Sequence, residues 1–132
     1  MNRLKFSIKS EVDIHFMNAE VRTLFSSFRL PGVIVERAKT ILSELAYNQL
    51  KYAKRGNMEI QIVEEVSRIG IMIVASDKGP GIENINMAIS DNYSTSGTLG
   101  LGLPGIKRMA DEMTIESVPG KGTVVKVSLW AL

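Results

Sequence analysis

The sequence predicts an α/β (α+β) domain: a two-layer sandwich in which helices cover one face of a mixed, mostly antiparallel sheet. Three observations carry that expectation. Apolar residues recur at helical spacing in three stretches, and alternating or continuously apolar runs of strand length lie between and after them. Turn residues then separate neighbouring strands closely enough for hairpin connections, above all Pro119-Gly120-Lys121-Gly122 near the end of the chain.

Taken in order, Leu4, Phe6 and Ile8 alternate with polar residues and predict a half-buried strand; Val12, Ile14 and Phe16 repeat the pattern. Asn18 is suited to cap a helix whose apolar face is Val21, Leu24, Phe25 and Phe28, and Pro31-Gly32 ends it. A longer helix follows with Ile34, Ala38, Ile41, Leu42 and Leu45 as its stripe and Gly56 as its C′ residue. Strands are expected at 58–63 and 69–75, the second apolar on both faces, as in the middle of a sheet. Residues 77–99 are poor in regular signals, apart from a helical turn at Met87-Ala88-Ile89, and a loop of that length is often a functional lid. A helix over 102–112 carries Leu103, Ile106, Met109 and Ala110, and a hairpin of 114–118 and 123–130 closes the chain.

Size and composition narrow the function classes. The 132 residues are expected to form one domain, 1–132, burying roughly two thirds of the unfolded surface. There is no cysteine, which excludes a disulfide framework and a thiolate zinc site and points to a reducing cytoplasm. The opening residues lead into alternation rather than an apolar core, so no signal peptide is expected, and no apolar run reaches the roughly 18 residues of a membrane span. Net charge is +2, with Lys and Arg scattered and few aromatics, so neither nucleic acid nor membrane is an expected partner. The densest basic run, Lys51-Tyr52-Ala53-Lys54-Arg55, falls at a helix end, where cations oppose the dipole. His15, the only histidine, is read as structural or exposed.

Four short motifs carry chemistry. Glu44 and Asn48 stand one turn apart on the flank of an apolar stripe, with Lys51 on nearly the same meridian. A flank lets a side chain enter a cleft without being sealed in the core. An amide oxygen there suits Mg²⁺, and a carboxylate one turn back can take a proton from an attacking hydroxyl. Taken singly, such a pair is ordinarily solvated. Asp77 follows an apolar strand directly, so its carboxylate is presented at a strand end, an acceptor for a purine amine. Gly79 and Gly81 allow the backbone close to a flat ring, although Asp-Lys-Gly-Pro-Gly also makes an ordinary turn. Gly120-Lys121-Gly122-Thr123 is by itself a hairpin turn; beside an adenine-binding Asp77, the Thr123 hydroxyl can complete the ring's hydrogen bonding.

Gly100-Leu101-Gly102-Leu103-Pro104-Gly105 matches G-x-G-x-x-G, but 90–99 is no strand and no acid follows Glu116, so a dinucleotide fold is excluded. The Val-Ala-Ile-Lys, His-Arg-Asp and Asp-Phe-Gly elements of eukaryotic-type protein kinases are also absent. What remains is a glycine loop feeding a helix N-terminus, an anion site of free backbone N–H groups.

Together these elements resemble the N, G1, G2 and G3 boxes of the GHKL ATPases, in that order: Glu44-Leu45-Ala46-Tyr47-Asn48, 77–81, 100–103 and 120–123. Tyr93-Ser94-Thr95-Ser96-Gly97 and the run from Leu99 to Arg108 make the chain most similar to the RsbT-type serine/threonine kinases of the bacterial stressosome, within the anti-sigma-factor kinase branch. The resemblance covers most of the chain from Ile41 to Trp130. It implies a Bergerat-type ATP fold with Glu44 as base, Asn48 as Mg²⁺ ligand, Asp77 reading adenine and 82–99 as lid. ATP contacts would come from Asn48, Lys51, Asp77, Gly79, Gly81, Ile82, Thr95, Gly97, Gly100, Leu101, Gly102, Leu103 and Thr123. It also implies STAS-domain partners (RsbS/RsbR-like) as substrates and scaffold, and a metal-dependent serine phosphatase (RsbU-like) activated by the released kinase. Alternatives are an anti-sigma factor of the RsbW type or a nucleotide-gated binding module. The ATP-binding half of a histidine kinase fails because no helical hairpin carries a phosphoacceptor His.

Overall fold

The computed structural model describes residues 2–89 and 102–131. Among them five strands form one sheet in the order β1-β2-β3-β5-β4: β1 Arg3–Ile8, β2 Gly56–Glu64, β3 Ile69–Asp77, β4 Glu112–Val118 and β5 Gly122–Ala131. Every described pairing is antiparallel, so the expected mostly antiparallel sheet contains no parallel pair here. β3 lies in the middle, as its two-sided apolar character requires.

The helices are α1 Glu11–Ser26, α2 Gly32–Asn48, the single turn α3 Ile85–Ala88 and α4 Leu103–Met109. Strand alternation sends Met58, Ile60 and Ile62 of β2, Ile71, Ile73 and Ala75 of β3, and Val125, Val127 and Leu129 of β5 to one face, where all are buried. Against them pack Ile34, Ala38, Ile41, Leu42, Leu45 and Ala46 of α2, whose spacing keeps them on one stripe. Emptying one fully buried position, such as Ile73, would cost about 2–5 kcal/mol.

Three expectations are corrected. Val12, Ile14 and Phe16 are not a strand but the first turns of α1, which starts from Ser10 rather than Asn18. The Asp13 carboxylate accepts the Ser10 N–H at 3.1 Å and the Lys9 N–H at 2.8 Å, satisfying two donors near the helix start. The face that matters is Ile14, Met17, Val21, Leu24 and Phe25, all buried, whereas Val12 and Phe16 remain 73% and 58% exposed. The alternation was incidental to a helical period. Secondly, Gly56 does not end α2. The helix widens into a π-helical turn, Gln49–Ala53, and stops at Lys54, a non-glycine residue in the left-handed region at φ 71°. Gly56 instead opens β2, where a methyl group would run into the Gln49 carboxamide. Likewise α4 is shorter than expected, because Glu112 already belongs to β4.

The β4–β5 connection is a tight turn closed by Lys121 N–H donating to Val118 O at 2.9 Å, with Pro119 and then Gly120 at φ +79°, the pattern of a type II turn.

Candidate functional site

α2, the π-helical turn, the C-terminal end of β3, the β4–β5 turn and the start of α4 meet around one cleft. Its lining includes Asn48, Asp77, Gly81, Ile82, Leu103 and Thr123, with apolar walls from Leu45, Tyr52, Ala75 and Val125, and its cavity volume is about 120 Å³. Six of the residues singled out by the motifs are therefore brought together by the fold.

Register explains the pairing of two of them. Asp77 stands directly opposite Thr123 in the β3–β5 ladder, so both side chains leave the sheet on the same face. Asp77 Oδ1 accepts the Gly79 N–H at 2.8 Å, which folds the chain back immediately after β3. The loop it starts is tied to the hairpin: Gly120 N–H donates to Pro80 O at 2.7 Å, and Gly81, at φ +77°, lies against the Val118 carbonyl. Only glycine fits both that dihedral and that approach. Gly79 packs on Ala53 at the cleft's edge.

Ser117, absent from the motifs, organises this corner. Its hydroxyl accepts the Ile82 N–H at 2.7 Å, donates to Gly122 O at 3.0 Å and lies 2.9 Å from Thr123 Oγ1. A serine has one proton and two lone pairs. With the proton on Gly122 O and one lone pair on Ile82 N–H, the other lone pair takes the Thr123 proton, so Thr123 meets the cleft as an acceptor. Gln49 is the second residue the motifs do not contain. It is 2% exposed, lines the cleft and donates from Nε2 to Asn57 O at 3.0 Å and Ser76 O at 3.1 Å, joining the end of α2 to the β2–β3 ladder.

Glu44 does not line this cleft. It is exposed and flanks a groove on the outer side of α2 with Glu36, Lys39, Thr40, Ser43 and Tyr47. Its carboxylate nonetheless reaches the entrance of α4: a methyl group on Gly102, which holds φ +68°, would lie 2.8 Å from Glu44 Oε2. Asn48 is half-buried between the two regions. Tyr47 donates to Glu11 Oε1 at 3.2 Å; partial desolvation, and then that bond and charge, push its phenol above the usual range. His15 is exposed on α1, 3.8 Å from Glu11. Lys51 is exposed, with its ammonium 5.2 Å from the Tyr52 ring centre, and lines neither the cleft nor the Glu44 groove. Thr95, Gly97, Gly100 and Leu101, like most of the expected lid, lie outside the described residues.

The donor set suits a hard cation only in part. Among the described residues no group of three His, Cys, Asp or Glu side chains converges, and of the expected Mg²⁺ ligands there is the Asn48 amide oxygen. Mg²⁺ bound alongside phosphates and water needs no more than that.

Residues 34–131 match the family described as histidine kinase-, DNA gyrase B- and HSP90-like ATPases. The chain belongs to that family. It is 45% identical over 94 residues to the serine/threonine-protein kinase RsbT of Bacillus subtilis (strain 168), covering 71% of each chain. It is also 31% identical to an anti-sigma F factor of Caldanaerobacter subterraneus subsp. tengcongensis, over 97% of this chain and 92% of the other. An anti-sigma F factor of Thermoanaerobacter sp. (strain X514) is 30% identical with the same coverage. Within the ATPase family the chain thus stands with the RsbT-type kinases and anti-sigma factors.

Proposed function

We propose that this chain is an ATP:protein phosphotransferase acting on serine or threonine, and that the cleft of Asn48, Asp77 and Thr123 takes ATP with its adenine against Asp77. The observation that carries the reading is the register of Asp77 and Thr123, two acceptors side by side on the floor of an apolar-walled cleft. An ionised carboxylate accepts from an exocyclic amine, and the apolar walls suit a flat ring. The phosphates then run toward Gly102 and Leu103, at whose entrance the Glu44 carboxylate stands. There Glu44 takes the proton of the acceptor hydroxyl as its oxygen bonds to the γ-phosphorus; the bond to the bridging oxygen breaks and ADP leaves. Mg²⁺, held in part by Asn48, would offset phosphate charge when bound.

The substrates in this reading are STAS-domain proteins of a stressosome-like assembly, and release from that assembly lets the kinase engage and activate a metal-dependent serine phosphatase. The 45% identity to RsbT supports it, as does the order of the four boxes from Glu44 to Thr123. In this reading the chemistry takes place in the cytoplasm, a reducing compartment that suits a chain without cysteine. Incubation with γ-labelled ATP, Mg²⁺ and STAS proteins encoded nearby should transfer label to serine or threonine. No transfer to any of them, with ATP binding intact, would overturn the kinase reading.

A second reading, an anti-sigma factor that uses the same cleft, draws on the anti-sigma F relatives that align over nearly the whole chain. A pull-down separates them: recovery of a sigma factor favours the second, a STAS protein or phosphatase the first.

A further inference from the structure

The face of the sheet turned away from the helices carries a polar row near one end. Register sets Ser7 opposite Asn57 and Asn57 opposite Ser76, in line across three neighbouring strands. Ile8, Met58 and Ala75 are buried on the helix side, so alternation sends all three polar side chains to the open side. They lie along a groove of about 620 Å³ whose rim carries Lys9, Arg55 and Lys78, and Lys5 extends the basic edge along β1. Lys54, at φ 71°, turns the chain sharply between the π-helical turn and β2, and Arg55 follows it onto the rim. All four rim cations are exposed, and among the described residues none of their side chains has a hydrogen bond or ion pair. The neighbouring carboxylates, by contrast, are engaged. Glu59 pairs with Arg3, Asp13 accepts the Lys9 and Ser10 N–H groups, and Asp77 accepts the Gly79 N–H. The four positive charges therefore act together on whatever lies in the groove.

We propose that this groove docks an acidic, extended segment of a partner protein, its carboxylates on Lys5, Lys9, Arg55 and Lys78 and its backbone on the polar row. Charge complementarity selects an acidic occupant. The row selects a peptide: two hydroxyls and a carboxamide can each donate and accept, as a chain of peptide N–H and C=O groups requires. From Ser7 to Ser76 is two strand spacings, about 10 Å, which roughly three extended residues span. A single-stranded nucleic acid would want aromatic faces for its bases, and no aromatic residue lines the groove between Lys9 and Lys78. Neither Lys9 nor Arg55 lines the nucleotide cleft, so the inference stands apart from the ATP reading.

The test titrates the unchanged chain with a fluorescein-labelled hexaglutamate peptide and its hexaglutamine counterpart, read by anisotropy. In salt of about 50 mM hexaglutamate should bind at least about tenfold more tightly, and the preference should shrink steeply toward about 500 mM. Lys9→Glu with Arg55→Glu should weaken hexaglutamate about tenfold or more. Arg22→Glu with Arg37→Glu makes the same change in net charge on exposed helix positions and should leave binding within about threefold. Equal losses in the two double variants would mean that only net charge matters and would overturn the proposal, as would equal binding of the two peptides. A labelled oligothymidine that binds more tightly than hexaglutamate, and is lost in the groove variant, would assign the groove to nucleic acid instead. Self-association seen by sedimentation and abolished by the groove variant alone would assign it to a second copy, and either result overturns the proposal. Should the groove variant not fold, NMR of the unchanged chain decides. Hexaglutamate should shift the Asn57 side-chain amide and the backbone amides of Lys9, Arg55 and Ser76; shifts confined to other residues would overturn the proposal.

Discussion

Asp77 and Thr123 face each other across the β3–β5 ladder, so the spacing of the two candidate base-reading groups is set by backbone pairing rather than by loop conformation. A site built on strand positions is held more rigidly than one built on loops. It follows that substitutions at either residue should alter binding without rearranging the pocket.

For Asp77→Asn, the amide oxygen can keep the bond from the Gly79 N–H, so the turn after β3 should survive and the melting temperature should change little. What is lost is a charged acceptor, worth about 1.5–3 kcal/mol. Calorimetry should therefore show ATP affinity reduced roughly tenfold or more. Unchanged affinity would remove adenine recognition from this residue.

Glu44→Gln separates chemistry from binding. Because Glu44 lies outside the cleft that would hold the base, ATP affinity should stay close to that of the unchanged chain. Loss of a general base should slow phosphoryl transfer by about 10²–10⁴-fold in single-turnover assays. If binding and turnover fall together, Glu44 positions metal or structure instead.

Gly102→Ala tests the contact between α2 and the entrance of α4. The left-handed backbone there should cost about 1–2 kcal/mol with any other L-residue, visible in chemical denaturation. The added methyl also crowds Glu44 Oε2, so turnover should drop by more than the lost stability accounts for. Equal activity per folded molecule would show that Glu44 and Gly102 are independent.

Ser117→Ala should leave the Ile82 N–H and the Thr123 hydroxyl without their partner, at a cost of about 1–3 kcal/mol. Amide exchange at Ile82, measured by NMR, should accelerate, and ATP affinity should weaken through Thr123. Retained protection at Ile82 would mean that the loop is anchored by its apolar contacts.

Much of this arrangement is legible in the chain itself. The α2 stripe, the central position of β3 and the β4–β5 hairpin follow from long, consistent apolar periods, and six of the expected ATP contacts line the cleft. Short patterns mislead more easily. Val12, Ile14 and Phe16 satisfy a strand's alternation over five residues, and only the longer spacing from Ile14 to Phe25, with Ser10 and Asp13 at its head, discloses a helix. Ser117 and Gln49 are visible only as anomalies: a hydroxyl on the inward face of β4 after Met113 and Ile115, and an amide in the turn that follows α2, four residues beyond Leu45 of its apolar stripe. Neither position states what it binds, because their partners are backbone groups brought near by tertiary packing.

The π-helical turn bears on how this segment tolerates changes in length. Gln49–Ala53 takes up one residue more than an α-helical turn would, immediately before a strand whose register is pinned on both sides. Such slack can be given up. Deleting a single residue there would let the helix close to ordinary spacing while β2 keeps its pairing, sparing Met58, Ile60 and Ile62 the slip that would turn them to the open face. The same deletion would take one residue from the turn that supplies Gln49, Tyr52 and Ala53 to the cleft, and so leave a gap in that wall. A one-residue insertion finds no further slack and must push into β2. This stretch should therefore accept shortening more readily than lengthening as far as folding goes, and neither as far as nucleotide is concerned.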